Sequence, residues 1–146
     1  MNLPNKLTLL RILLIPVFII TMMFDFSNHY LISCLIFIIA SITDALDGHI
    51  ARKNNLVTDF GKFMDPLADK LLVISALICM IESNLVAGWM VIIIVARELT
   101  VSILRAIAAA DGKVIAASGG GKIKTISQMI AIIVLLLGAN LNNNLL

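Results

Sequence analysis

The apolar runs of this chain are interrupted by polar stretches at about 25–29, 48–65, 82–84, 110–125 and 140–144. Five candidate spans remain, at about 7–24, 30–47, 66–81, 85–109 and 126–139. A helix needs roughly 20 apolar residues to cross a bilayer. Two of the runs are shorter, so their helices are expected to extend into the polar flanks. The third should start at or before Asp65, and the second should run past Asp47. The first span follows Lys6 and Arg11 in the manner of a signal peptide, but residues 22–28 offer no small-x-small cleavage site. It is read as a retained helix.

Composition turns these runs into a fold class. The chain has 146 residues, of which 60% are hydrophobic and 14% charged, against an apolar share of roughly 45–50% in soluble domains. Mean hydropathy is +1.05, which excludes a water-soluble globule. The length holds about five spans once loops are allowed. The expectation is one all-α, polytopic transmembrane helix bundle over residues 1–146. Cys34 and Cys79 lie in apolar runs with no metal-ligand spacing and read as small buried hydrophobes, although a disulfide between them is geometrically conceivable.

The charges matter by position. Eleven Lys and Arg against nine Asp and Glu leave +2, which does not make a nucleic-acid binder. Lys6, then Arg52, Lys53 and Lys62, then Lys113, Lys122 and Lys124 fall on alternate polar regions, whereas 25–29, 82–84 and 140–144 hold no Lys or Arg. That asymmetry predicts a cytoplasmic N-terminus and two cytoplasmic central loops in a cell membrane.

Six of the nine acids lie between Asp44 and Glu82. Asp44 and Asp47 are spaced i,i+3 and Asp65 and Asp69 i,i+4, so each pair shares a helix face. A hairpin of the second and third spans brings the pairs together at its cytoplasmic end. Four gathered carboxylates repel one another unless a cation neutralises them. Oxygen donors without histidine suit Mg²⁺ or Mn²⁺, and two such ions serve in-line displacement at phosphorus. Gly48, Ala51 and Gly61 accompany the acids and leave room for a ligand or another backbone.

The run Asp44-x2-Asp47-Gly48-x2-Ala51-Arg52-x8-Gly61-x3-Asp65-x3-Asp69 resembles the complete signature of the CDP-alcohol phosphatidyltransferases. Leu3 to Arg11, Arg97-Glu98 and Gly121 to Gln128 resemble the phosphatidylglycerophosphate synthase branch. The resemblance implies that Asp44, Asp47 and Asp65 hold two divalent ions on the pyrophosphate of CDP-diacylglycerol. Asp69 would complete the metal site and act as general base. Gly48, Ala51 and Arg52 would line the cytidine side, and Gly61 would keep the pocket open. It also implies a homodimer, a cytoplasm-facing site, and a membrane domain usually of six helices, so this chain would lack a C-terminal one.

The acceptor is read from the cations. Arg97 falls mid-span and should face the bundle interior or pair with Glu98. Arg105 lies about 80° around the helix and about 12 Å along it, so one ligand need not touch both. If Arg97, Arg105, Lys122 and Lys124 converge, they call for an anionic acceptor. Glycerol 3-phosphate is favoured, matching the branch resemblance. Phosphatidylglycerol or inositol phosphate as acceptor is the enzyme alternative, and a divalent-cation transporter the remote one. His29 and His49 are expected in solvated loops, and Trp89 and Tyr30 in an interfacial belt.

Overall fold

A computed structural model describes residues 3–53, 59–113 and 119–145, excluding the side chains of residues 3–4, 47–48, 51–52, 59–63, 119–120 and 122. Five helices follow one another: α1 (Leu3–Met23), α2 (His29–Lys53), α3 (Asp59–Glu82), α4 (Gly88–Ala110) and α5 (Gly119–Leu145). No strand occurs among the described residues. The expected all-α membrane bundle is therefore the fold observed. By length and composition, Asn5–Met23, His29–Leu46 and Ile123–Leu145 suffice to cross a bilayer. Helices α3 and α4 have 24 and 23 residues, or roughly 35 Å each. Their charged residues lower their hydropathy, and several of those residues line the cavity of the candidate site.

The expected helix extensions occur: α2 runs past Asp47 to Lys53, and α3 begins at Asp59. The polar stretch at 140–144 does not end the fifth span as expected, because α5 continues through it to Leu145. Asn140 is buried, and Asn144 Nδ2 donates to Asn28 Oδ1 at 3.1 Å. Asn144 thus ties the end of α5 to the α1–α2 turn instead of lying in a loop.

Helices α1, α2, α3 and α5 make most of the core, to which α4 adds Val91, and α4 packs its backbone against α3 alone among the described residues. On α1 the buried positions are 5, 8, 11, 15, 18 and 22, the three- and four-residue spacing of a single face. The first three are Asn5, Thr8 and Arg11; the last three are Ile15, Phe18 and Met22. One face is thus polar at one end and apolar at the other. Phe18 meets Phe37 of α2 with ring centroids 6.1 Å apart, a tilted pair of the kind that adds about 1 kcal/mol. Buried Ala40, Ala68 and Ala76 let backbones approach where packing rather than solvent exclusion holds helices together. Ser33 Oγ donates to Thr21 Oγ1, and Thr21 Oγ1 donates to the Phe18 carbonyl, each at 2.8 Å, so both hydroxyls are satisfied within the α1–α2 seam.

Helices α3 and α4 end in the same way. Beyond α3, Asn84 has φ 56°, with Asn84 N–H donating to Ile81 O and Leu85 N–H to Met80 O. Beyond α4, Gly112 has φ 74°, with Gly112 N–H donating to Ala109 O and Lys113 N–H to Ala108 O. Both are Schellman closures, which satisfy carbonyls that would otherwise be orphaned.

The histidines differ from expectation. His29 is not in a solvated loop: it opens α2 at 3% exposure. Its Nδ1 donates to the Phe24 carbonyl at 3.2 Å and its ring lies against Tyr30. His49 is exposed, but on α2 rather than in a loop. Cys34 and Cys79 are both buried and free, so the conceivable disulfide is absent.

Candidate active site

The polar half of the α1 face points at the acidic signature. Arg11 is fully buried and its Nη1 lies 2.7 Å from Asp44 Oδ1 on α2. Thr8, also fully buried, donates its hydroxyl to Asp65 Oδ1 on α3. A guanidinium in an apolar bundle is costly unless paired, and Asp44 supplies the pair. Helix α1 thus fixes one acid on each arm of the α2–α3 hairpin.

Asp69, one turn beyond Asp65, is held differently. Its Oδ1 is buried with no hydrogen-bond partner among the described residues, an arrangement that is unfavourable unless something else satisfies the oxygen. Asp44 and Asp69 line the same cavity, of about 470 Å³. Among the described residues no three acidic side chains converge closely enough to enclose an ion. The side chain of Asp47 lies outside those described. The donors present are all carboxylate oxygens, one of them orphaned, which fits a hard divalent cation.

The other wall of the cavity is basic. Arg97 and Arg105 from α4, Lys124 from α5 and Lys70 from α3 all line it with Asp44 and Asp69. Arg97 and Arg105 thus border one space although they lie about 80° apart around α4. Arg97 Nη1 donates to Glu98 Oε1 at 2.9 Å, as the sequence suggests. Lys124 Nζ forms a second ion pair with the same oxygen. Lys70 Nζ donates to Ser102 Oγ, and that hydroxyl donates onward to the Glu98 carbonyl at 2.7 Å, tying α3 to α4. Gly121 at the start of α5 leaves space beside Arg105, since a β-carbon there would lie 3.7 Å from its Nη2.

Of the site residues expected from sequence, Asp44, Asp69, Arg97, Arg105 and Lys124 gather around one cavity, and Asp65 sits against Thr8. Asp47, Gly48, Ala51, Arg52, Gly61 and Lys122 lie outside the residues whose side chains are described. The sequence alone assigns no role to Asn5, Thr8, Arg11 or Lys70. The first three do carry a signal: polar residues at i, i+3 and i+6 continue the spacing of the apolar face that follows them.

Similarity to known proteins runs along the whole chain. The family model for CDP-alcohol phosphatidyltransferase matches residues 1–146. A protein of Bacillus subtilis (strain 168) named CDP-diacylglycerol--glycerol-3-phosphate 3-phosphatidyltransferase is 52% identical over 148 residues, covering 93% of this chain and 77% of the relative. A Rickettsia felis protein of the same name is 44% identical over 138 residues, covering 94% of this chain and 76% of the relative. A probable phosphatidylglycerophosphate synthase of Mycobacterium tuberculosis is 42% identical over 134 residues, with 90% of this chain and 64% of the relative covered.

Proposed function

Since the chain belongs to the CDP-alcohol phosphatidyltransferase family, we propose that it transfers the phosphatidyl group of CDP-diacylglycerol to sn-glycerol 3-phosphate, giving phosphatidylglycerophosphate and CMP. The observation that carries this reading is the single cavity in which Asp44 and Asp69 face Arg97, Arg105 and Lys124. That juxtaposition supports a proton acceptor working beside a seat for an anionic substrate. Relatives at 42–52% identity bear names for the same reaction.

The residues divide the work. The cations of α4 and α5 attract the phosphate of the acceptor and orient its free hydroxyl toward Asp69, as positioning requires. Asp69 accepts the hydroxyl proton as the acceptor oxygen bonds to the phosphorus that bears the diacylglycerol. The bond from that phosphorus to the bridging oxygen breaks, and its electron pair leaves with CMP. Arg11 and Thr8 hold Asp44 and Asp65 in place while this happens.

Enzymes of this family use divalent metal ions, and Asp44, Asp47, Asp65 and Asp69 are the residues that would hold two of them here, as Mg²⁺ or Mn²⁺. When bound, such ions neutralise charge on the pyrophosphate and on the departing CMP. Gly48, Ala51 and Arg52 are assigned to the cytidine side, with Gly61 keeping the slot open. The site faces the cytoplasm in this reading, following the placement of Lys and Arg.

Assembly as a homodimer belongs to the same reading. It rests on the family resemblance; the exposed Ile92, Ile93, Leu99 and Ile103 of α4 are what a lipid-facing helix also presents. Light scattering in mild detergent should return twice the chain mass once bound detergent is subtracted, and a single chain mass would remove the dimer.

The reaction is tested by incubating the reconstituted full chain with CDP-diacylglycerol, Mg²⁺ or Mn²⁺ and each labelled acceptor in turn. CMP release is expected with glycerol 3-phosphate. Release only with inositol phosphate or phosphatidylglycerol would overturn the acceptor, and metal-driven ion flux without release would favour a transporter.

A further inference from the structure

The arginines of the cavity stand on a part of α4 that apolar packing does not hold. The grip of α4 on the core lies in its first half, at buried Val91 and partly buried Ile94 and Val95. From Ala96 onward no position of α4 is buried. That second half carries Arg97 and Arg105, and Arg105 lies about 15 Å beyond Val95 along the helix. Apolar burial therefore does not set how far these cations stand from Asp69 of α3.

Polar contacts take over there, and they divide the task. Arg97 and Lys124 share one Glu98 oxygen, which keeps the cations of α4 and α5 together independently of α3. Lys70 Nζ donates to Ser102 Oγ, which joins α4 to α3 at the residue next to Asp69. We propose that Lys70 and Ser102 are positioning residues, a strut that sets the spacing between the cations of α4 and the carboxylate of Asp69. This inference rests on the proposed reaction and deepens it.

The hydroxyl suits a strut. Ser102 Oγ donates its proton to the Glu98 carbonyl one turn back at 2.7 Å, which fixes its orientation and leaves its lone pairs to accept from outside the helix. A lysine ammonium is purely a donor, and a charged donor makes a stronger hydrogen bond than a neutral one. Its four-carbon stem spans a gap that the two backbones leave open. Spacing then matters to the rate, because an acceptor seated on Arg97, Arg105 and Lys124 must bring its hydroxyl to Asp69. A misplacement of about 1 Å can cost on the order of a hundredfold.

The test is a double-mutant cycle on the reconstituted full chain with CDP-diacylglycerol, Mg²⁺ and glycerol 3-phosphate. Ser102→Ala leaves every cation in place and puts a good helix former in the helix. Its kcat is expected to fall about tenfold, from a partial loss of alignment. KM for glycerol 3-phosphate should stay within about twofold, because the cations that seat it remain clustered. Ser102→Thr keeps the hydroxyl and should keep kcat. Lys70→Met should lower kcat at least as far, since it also removes a charge beside Asp69, and Ser102→Ala added to it should cost nothing more. A merely structural loss would instead add to that of Lys70→Met. A normal kcat in Ser102→Ala overturns the inference, as does a further loss of about tenfold in the double variant. A raised KM at unchanged kcat in Lys70→Met would make Lys70 a direct contact of the acceptor and overturn it as well. Each of these results leaves the proposed reaction standing, whereas absence of CMP release from the unsubstituted protein with glycerol 3-phosphate removes both.

Discussion

Asp69→Asn is expected to abolish measurable turnover while CDP-diacylglycerol still binds within about threefold of the unsubstituted protein. Removal of a general base costs roughly 10²–10⁴ in rate, and loss of a carboxylate that also stabilises charge in the site adds to it. The substitution is nearly isosteric, and Asp69 Oδ1 has no hydrogen-bond partner among the described residues to lose. Packing around it, including fully buried Ala68 and Leu72 on the same helix, should be undisturbed. Burst and steady-state CMP release measure the rate, and a fluorescent CDP-diacylglycerol analogue measures binding. Turnover within tenfold of normal would sink the assignment of the base.

The second large effect concerns stability. Arg11→Met should lower the thermal midpoint in detergent by several degrees and also remove most activity. Cutting one partner from a buried ion pair costs roughly 3–5 kcal/mol. Asp44 keeps 34% side-chain exposure, so solvent screens part of that cost and about 1–3 kcal/mol is the better expectation. The double variant Arg11→Met with Asp44→Asn should regain stability, because no unpaired charge is left, and stay inactive, because Asp44 has lost its own charge. A thermal midpoint unmoved by Arg11→Met would show that the ion pair does not hold the bundle.

These two residues also mark how far the amino-acid sequence reaches by itself. Asp69 is legible there because its partners in function are close in the chain: Asp65 is one turn away, and Asp44 lies on the adjoining helix with a glycine beside its companion Asp47. Helical spacing converts such neighbours into a face directly. The five helices are equally legible, since each is built around an apolar run. Arg11 is not. Its partner is 33 positions distant, and within α1 it passes for a flanking charge at a membrane interface. Only the packing of α1 against both arms of the hairpin shows that it is buried.

The convergence of Arg97, Arg105 and Lys124 stays conditional in the sequence for a similar reason. Periodicity gives angles around one helix, but not the opening between two. Because α4 approaches α3 alone by its backbone while Lys124 of α5 reaches Glu98, a wide cleft joins positions that separate on the α4 surface. The end of α5 shows the opposite case. Polar Asn140 to Asn144 suggest a loop, but Asn140 is buried and Asn144 bonds to Asn28. The helix therefore carries its polar residues through this stretch, with Asn144 tied to Asn28 across the bundle.

The half-polar face of α1 has a consequence for how the molecule is made. During synthesis α1 leaves the ribosome before α2, carrying an arginine whose counter-charge is still 33 residues behind it. An arginine at membrane depth costs about 2.5–3.5 kcal/mol on insertion scales, so α1 is a poorer solitary passenger than its hydropathy suggests. Its settled position waits for α2 to deliver Asp44. The first two helices are therefore best regarded as a single unit of membrane insertion, and the timing of that unit decides when the acidic signature first acquires its shape.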